Sequence, residues 1–86
     1  MITTAVKLTS HEVRALLAAA MEVSIDKISD SARFVGDVGV SSINAIAALL
    51  ALEENFQVEI SDEEAENLMT FHDVETFLVE RKLIVN

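Results

Sequence analysis

The sequence has no cysteine, no proline and only two glycines. Without cysteine, disulfides, thiolate metal sites and cysteine nucleophiles are excluded, and the core must hold without covalent staples. With no proline, and glycine only at 36 and 39, nothing marks a linker, repeat or low-complexity segment, so residues 1–86 are expected to form a single domain. Long apolar runs are also missing. The longest, Ala45 to Leu52, is far short of the roughly 20 residues that span a bilayer. The start, MITTAVKLTS, lacks the basic head and long apolar centre of an export signal, and the expectation is an unexported cytoplasmic chain without a membrane span.

Positive charge is scarce: six Lys and Arg stand against fifteen Asp and Glu, a net charge of −9. Nucleic acid and anionic membrane surfaces are thereby disfavoured as partners, and a basic protein surface is the natural complement. Every cation lies at or before Arg33 or at or after Arg81, which leaves residues 34–80 with eleven carboxylates and none. Charge alone also fits a surface kept acidic only for solubility. Eighty-six residues, 51% of them hydrophobic, suffice for one modest core but make a conventional enzyme pocket hard to build.

The pattern along the chain is helical. Ser10, followed by His11 and Glu12, is read as the N-cap of a first helix over about 10–22, with Val13, Leu16, Leu17, Ala20 and Met21 recurring at helical spacing. Residues 23–41 form a long connection whose apolar members, Val23, Ile25, Ile28, Phe34, Val35, Val38 and Val40, are expected to find burial. Ser42 to about Asn55 is a second helix, with Val58 and Ile60 tucked inward after it. Ser61 caps a short acidic helix that packs through Leu68 and Met69. Thr70 with Asp73 resembles a capping box opening the last helix, whose inward stripe is Phe71, Val74, Phe77 and Leu78, with Arg81 and Lys82 at its C-terminal end. His11 and His72 read as surface residues, and no metal cluster emerges.

The segment GVSSINAIAALLALEENF concentrates the chemistry. Ser41 is a good N-cap, which puts the Ser42 hydroxyl beside unsatisfied backbone amides; this is plain helix capping, yet it is also where a phosphate is best tolerated. The helix that follows has Asn44 as the only polar residue in its first three turns. If Leu49, Leu52 and Phe56 face the core, then Ile46 and Leu50 lie toward the side and Ile43 stays near the exposed N-terminus, and exposed apolar side chains there imply a docking surface, unless the helix is more deeply buried.

Residues 34–78, with Phe34, the Asp37-Val38-Gly39 turn, Ser42 at a helix start, Ala51-Leu52-Glu53-Glu54-Asn55-Phe56 and the acidic DEEAE stretch, resemble the acyl carrier protein family in order, spacing and charge together. The resemblance implies an all-α four-helix bundle with a long loop between helices 1 and 2, a short third helix and no catalysis of its own. It puts the family's attachment serine at Ser42, where 4′-phosphopantetheine from coenzyme A is joined by a phosphopantetheinyl transferase that normally uses magnesium. The spacing from Phe34 and the turn matches Ser42 rather than Ser41. The resemblance further implies that acyl-loading and acyl-processing enzymes, with basic and apolar docking surfaces, meet a monomeric carrier. They meet it through Ile43, Ile46 and Leu50 and through Glu53, Glu54, Asp62, Glu63 and Glu66.

The chain departs from the family where an aspartate before the serine is Ser41 and where early acidic helix positions are Asn44 and Ala47. As a cap, Ser for Asp is nearly equivalent; as a steering charge it is a loss. That points to a specialised carrier in a fatty acid, lipid or polyketide pathway. An aminoacyl or peptidyl carrier and an unmodified helical interaction module remain alternatives, whereas no nucleophile–base pair or paired-carboxylate site supports an enzyme.

Overall fold

Each α-helix in the computed structural model, which describes residues 8–85, begins at a side chain that satisfies one of its first free amides. The reading of the N-terminal segment as lacking an export signal falls on residues 1–7, outside the described residues.

Helix α1 spans Ser10–Met21, and its cap is Thr9 rather than the expected Ser10. Thr9 Oγ1 accepts from the Glu12 amide at 3.1 Å while Glu12 Oε1 accepts from the Thr9 amide at 2.8 Å. Only Thr9 has a glutamate at the third helical position to reciprocate; from Ser10 that position is Val13. Ser10 instead donates its hydroxyl to Glu75 at 2.6 Å, tying the start of α1 to the last helix. Helix α2 spans Ser42–Phe56, capped by Ser41 as expected, and α3 spans Asp62–Glu66 behind a Ser61–Glu64 capping box. Helix α4 spans Phe71–Glu80 behind the expected Thr70–Asp73 box, and Arg81 closes it as the C-cap, its amide donating to the Phe77 carbonyl at 3.3 Å, with Lys82 next in the chain. The fold is the expected helical bundle, with a long connection between α1 and α2 and a short α3.

The core is built from one face of three helices: Val13, Leu17 and Met21 of α1, Ala48 and Leu52 of α2, and Phe71, Val74 and Leu78 of α4. Short α3 adds only partly buried Ala65, so its position depends on a tether. Arg81 supplies one, pairing with Glu64 and stacking over the Phe77 ring at 4.3 Å.

The long connection is fastened at several points. After a 3₁₀ turn over Ile25–Lys27, Ile28 is buried. Arg14 donates to the Ile28 carbonyl, pairs with Asp30 at 2.7 Å and lies over the Phe71 ring at 4.1 Å. The His72 amide donates to the Asp30 carbonyl at 3.0 Å, and the Phe34 amide to the Met69 carbonyl at 2.9 Å. Phe34 and Val40 reach the core, but Val35, expected to be buried, is 54% exposed, and Met69, expected to anchor α3, is 51% exposed. Their neighbours Phe34 and Leu68 take the inward positions, which leaves Val35 and Met69 turned outward.

The C-terminal residues dock. Leu83 is partly buried and Ile84 is buried. Strand β1 (Leu8–Thr9) and β2 (Ile84–Val85) form a short parallel pair in the register Leu8↔Ile84 and Thr9↔Val85.

Candidate functional site

The turn that delivers the chain to α2 is closed by its own backbone. Between Phe34 and Val38 the amides of Asp37 and Val38 both donate to the Arg33 carbonyl, at 2.8 and 2.9 Å, and the Val40 amide donates to the Phe34 carbonyl at 3.0 Å. Gly39 ends the turn at φ 87, a left-handed value that a side chain would resist. Asp37 locks the start of the turn, its carboxylate accepting from the Arg33 amide at 2.9 Å. That bond, with the Arg33 guanidinium 3.6 Å away, holds the Asp37 carboxyl below its ordinary value.

From this turn the chain enters α2 with Ser42 as its first residue and exposed to solvent. Ser41 is extended, and its hydroxyl accepts from the Asn44 amide at 3.2 Å while its carbonyl accepts from the Ala45 amide at 2.9 Å. The two serines thus divide the work: Ser41 holds the helix, and Ser42 Oγ is left without a hydrogen-bonded partner among the described residues. Asn44 fixes the direction of this end, donating from Nδ2 to the Met21 carbonyl at the C-terminus of α1, 3.0 Å away.

Along α2, Ile43, Ile46 and Leu50 are 78%, 56% and 53% exposed. Steps of three and four residues put them on one stripe that begins beside Ser42. The stripe runs on to Glu53 and Glu54, about 18 Å along the axis from Ser42 at 1.5 Å per residue. Glu54 is exposed. Glu53 is only half-buried and is already engaged, its carboxylate accepting from the Ile60 amide at 2.9 Å. It therefore braces the segment between α2 and α3 as well as adding charge. Asp62, Glu63 and Glu66 are exposed on α3. Glu64, beside them, is turned away: the Ser61 amide and then Arg81 hold its carboxyl below its ordinary value.

Sequence reasoning missed a cavity. Behind α2 lies an apolar space of about 390 Å³, with buried Leu17, Leu52 and Val74 at its floor and exposed Val35, Ile46 and Met69 at its rim. The signal lies in the apolar residues Val35 and Met69, whose hydrophobicity alone reads as core. Among the described residues no group of three or more His, Cys, Asp or Glu side chains is placed to hold a metal ion, and no helix is long and apolar enough to cross a membrane.

Comparison with known proteins bears directly on this geometry. The family described as "Phosphopantetheine attachment site" matches residues 11–78. An acyl carrier protein of Akkermansia muciniphila is 36% identical over 68 residues, covering 79% of this chain and 85% of that protein. One from Helicobacter pylori strain J99 is 33% identical over 73 residues, covering 85% of this chain and 94% of that protein.

Proposed function

The chain belongs to the acyl carrier protein family and contains that family's phosphopantetheine attachment domain, and from that premise we infer that Ser42 is the residue to which 4′-phosphopantetheine is joined. The single observation that carries this reading is the exposed Ser42 hydroxyl, without a hydrogen-bonded partner among the described residues, at the first position of a 15-residue helix, beside a stripe of exposed apolar side chains. The residues present fit the group. Ser41 satisfies the Asn44 and Ala45 amides, which leaves the Ser42 and Ile43 amides and the positive end of the helix dipole for a phosphate oxygen. When attached, the arm supplies a terminal thiol on which an acyl group is held as a thioester.

The chain's own part is to present and to dock. Ile43, Ile46 and Leu50 provide an apolar contact next to the attachment point, and Glu54, Asp62, Glu63 and Glu66, with Glu53 in part, provide the charge that draws a basic partner surface. The cavity behind α2, with its rim on the same stripe at Ile46, suits the alkyl part of a cargo.

The absence of carboxylates from the first turns of α2 supports a specialised carrier. Asn44 is committed to Met21, and no steering charge stands between Asp37 and Glu53. Partner enzymes of this carrier grip the serine end by apolar contact and the far end by charge.

Intact mass after coexpression with a broad-specificity phosphopantetheinyl transferase tests the assignment. The mass rises by one phosphopantetheine, Ser42→Ala abolishes the gain and Ser41→Ala retains it; an unchanged mass, under conditions that modify a control carrier, rejects it. Loading by a transacylase of general fatty acid synthesis tests specialisation, and loading as efficient as that of a standard carrier counts against it.

A further inference from the structure

The cavity behind α2 is apolar except at one place. Of the side chains that line it, only Arg33 is polar, and Arg33 stands with the exposed residues Val35 and Gly36 at the rim rather than with Leu17, Leu52 and Val74 at the floor. The guanidinium lies over Gly36, where a Cβ would meet Arg33 Nε at 3.4 Å and Cζ and Nη2 at 3.5 Å, ordinary contact distances.

The fork of this arginine is largely unused. Its nearest carboxylate, Asp37, is 3.6 Å from Nε and already accepts the Arg33 backbone amide at 2.9 Å. Neither terminal nitrogen is hydrogen-bonded within the described residues, and the side chain is 60% exposed. A planar fork of donors at the mouth of an apolar space complements an oxygen acceptor on whatever occupies that space. Burying such an oxygen at the floor instead would leave it without a partner.

We propose that Arg33 is a specificity-determining residue that hydrogen-bonds an oxygen substituent close to the thioester of the bound acyl group, so that this carrier favours acyl chains oxygenated near the carbonyl and apolar beyond it. The inference rests on the reading of Ser42 as the attachment site and of the cavity as the cargo's lodging. A chain oriented in this way has its alkyl end against Leu17, Leu52 and Val74 and its proximal oxygen at the rim. A carboxylate at the far end of the chain is disfavoured, because the floor offers it no cation.

The test loads the full chain at Ser42 with octanoyl- or 3-hydroxyoctanoyl-4′-phosphopantetheine, transferred from the corresponding coenzyme A thioesters by a phosphopantetheinyl transferase with release of adenosine 3′,5′-bisphosphate, in wild type and in Arg33→Met, which keeps an apolar stem of similar reach. The readout is the rate of thioester cleavage by hydroxylamine, together with the amide chemical shifts of Gly36 and Val74. In wild type the 3-hydroxyoctanoyl thioester is the better protected. Arg33→Met lowers the ratio of its protection to that of octanoyl about fivefold, in keeping with loss of one partly exposed charge-assisted hydrogen bond. The substitution also removes the 3-hydroxyoctanoyl-specific shift at Gly36. An unchanged ratio in a folded variant overturns the role of Arg33 and leaves the carrier reading standing. Failure of wild type to gain mass on loading removes the carrier reading and this inference with it. Shifts at Gly36 and Val74 that are the same with and without cargo show the cavity empty and overturn the inference alone.

Discussion

Replacing Ile43 by alanine separates a docking residue from a packing residue. Full burial of an isoleucine side chain is worth about 1.5–3 kcal/mol. Ile43 is 78% exposed, so the folded chain draws on only about a fifth of that, and Ile43→Ala should cost about 0.5 kcal/mol. For a domain of this size the loss corresponds to about 2–4 °C in melting temperature. The remaining four-fifths is available to a partner, about 1–2 kcal/mol, or roughly 5- to 30-fold in the kcat/KM of the transferase that modifies Ser42. Leu52, on the opposite side of the same helix and 0% exposed, sets the contrast: Leu52→Ala should cost about 2–5 kcal/mol, on the order of 10 °C or more. Thermal melts followed by circular dichroism, and transferase kinetics on each variant, supply both numbers. An Ile43→Ala variant that melts as low as Leu52→Ala, or that is modified at the wild-type rate, refutes the reasoning.

Three further outcomes follow from the contacts. Glu64 has its carboxyl lowered below the ordinary 4.5 by the Ser61 amide and Arg81, so its contribution to stability is present above that value and is lost as pH falls through the lowered one. Urea unfolding of wild type and Glu64→Gln should differ at neutral pH, with the variant weaker, and converge in acid; a gap independent of pH contradicts the assignment. Asn44→Asp removes the amide that donates to Met21 and sets a carboxylate against the negative end of α1, and should cost about 1–2 kcal/mol in denaturant unfolding. Equal or greater stability would show that the bond to α1 is unimportant. Ile84→Ala, 7% exposed in wild type, should cost about 2–4 kcal/mol, whereas a neutral result would mean that the C-terminal strand does not dock.

What was legible in the sequence was whatever a few neighbouring residues decide. Ser41, Ser61 and Thr70 cap their helices as read, because a cap needs only its own side chain and an amide three residues on. The one misplaced cap, Ser10 for Thr9, had a local signal in Thr9-Ser10-His11-Glu12, in which Glu12 can reciprocate only with Thr9. The exposed stripe of Ile43, Ile46 and Leu50 was also readable, since a helix apolar nearly all round cannot bury every face in a bundle this small. The rest depends on residues far apart in the chain. Val35 and Met69 read as core because they are apolar, but burial of apolar residues is a tendency without a converse, and both rim a cavity instead. Ile84 docks with its side chain in the core and its backbone paired with Leu8, at the other end of the described chain. Glu53 reads as surface charge, and its bond to the Ile60 amide depends on how the segment after α2 folds back. The committed amide of Asn44 is the same kind of case: its partner, the Met21 carbonyl, lies in another helix.

The central claim is that the hydroxyl at 42, and not its neighbour at 41, carries the arm. Fragmentation of the peptide spanning both serines, after modification by the transferase, assigns the added mass to one of them directly. The account predicts the phosphopantetheine on Ser42 with Ser41 untouched; an arm found on Ser41, or on neither residue, contradicts it.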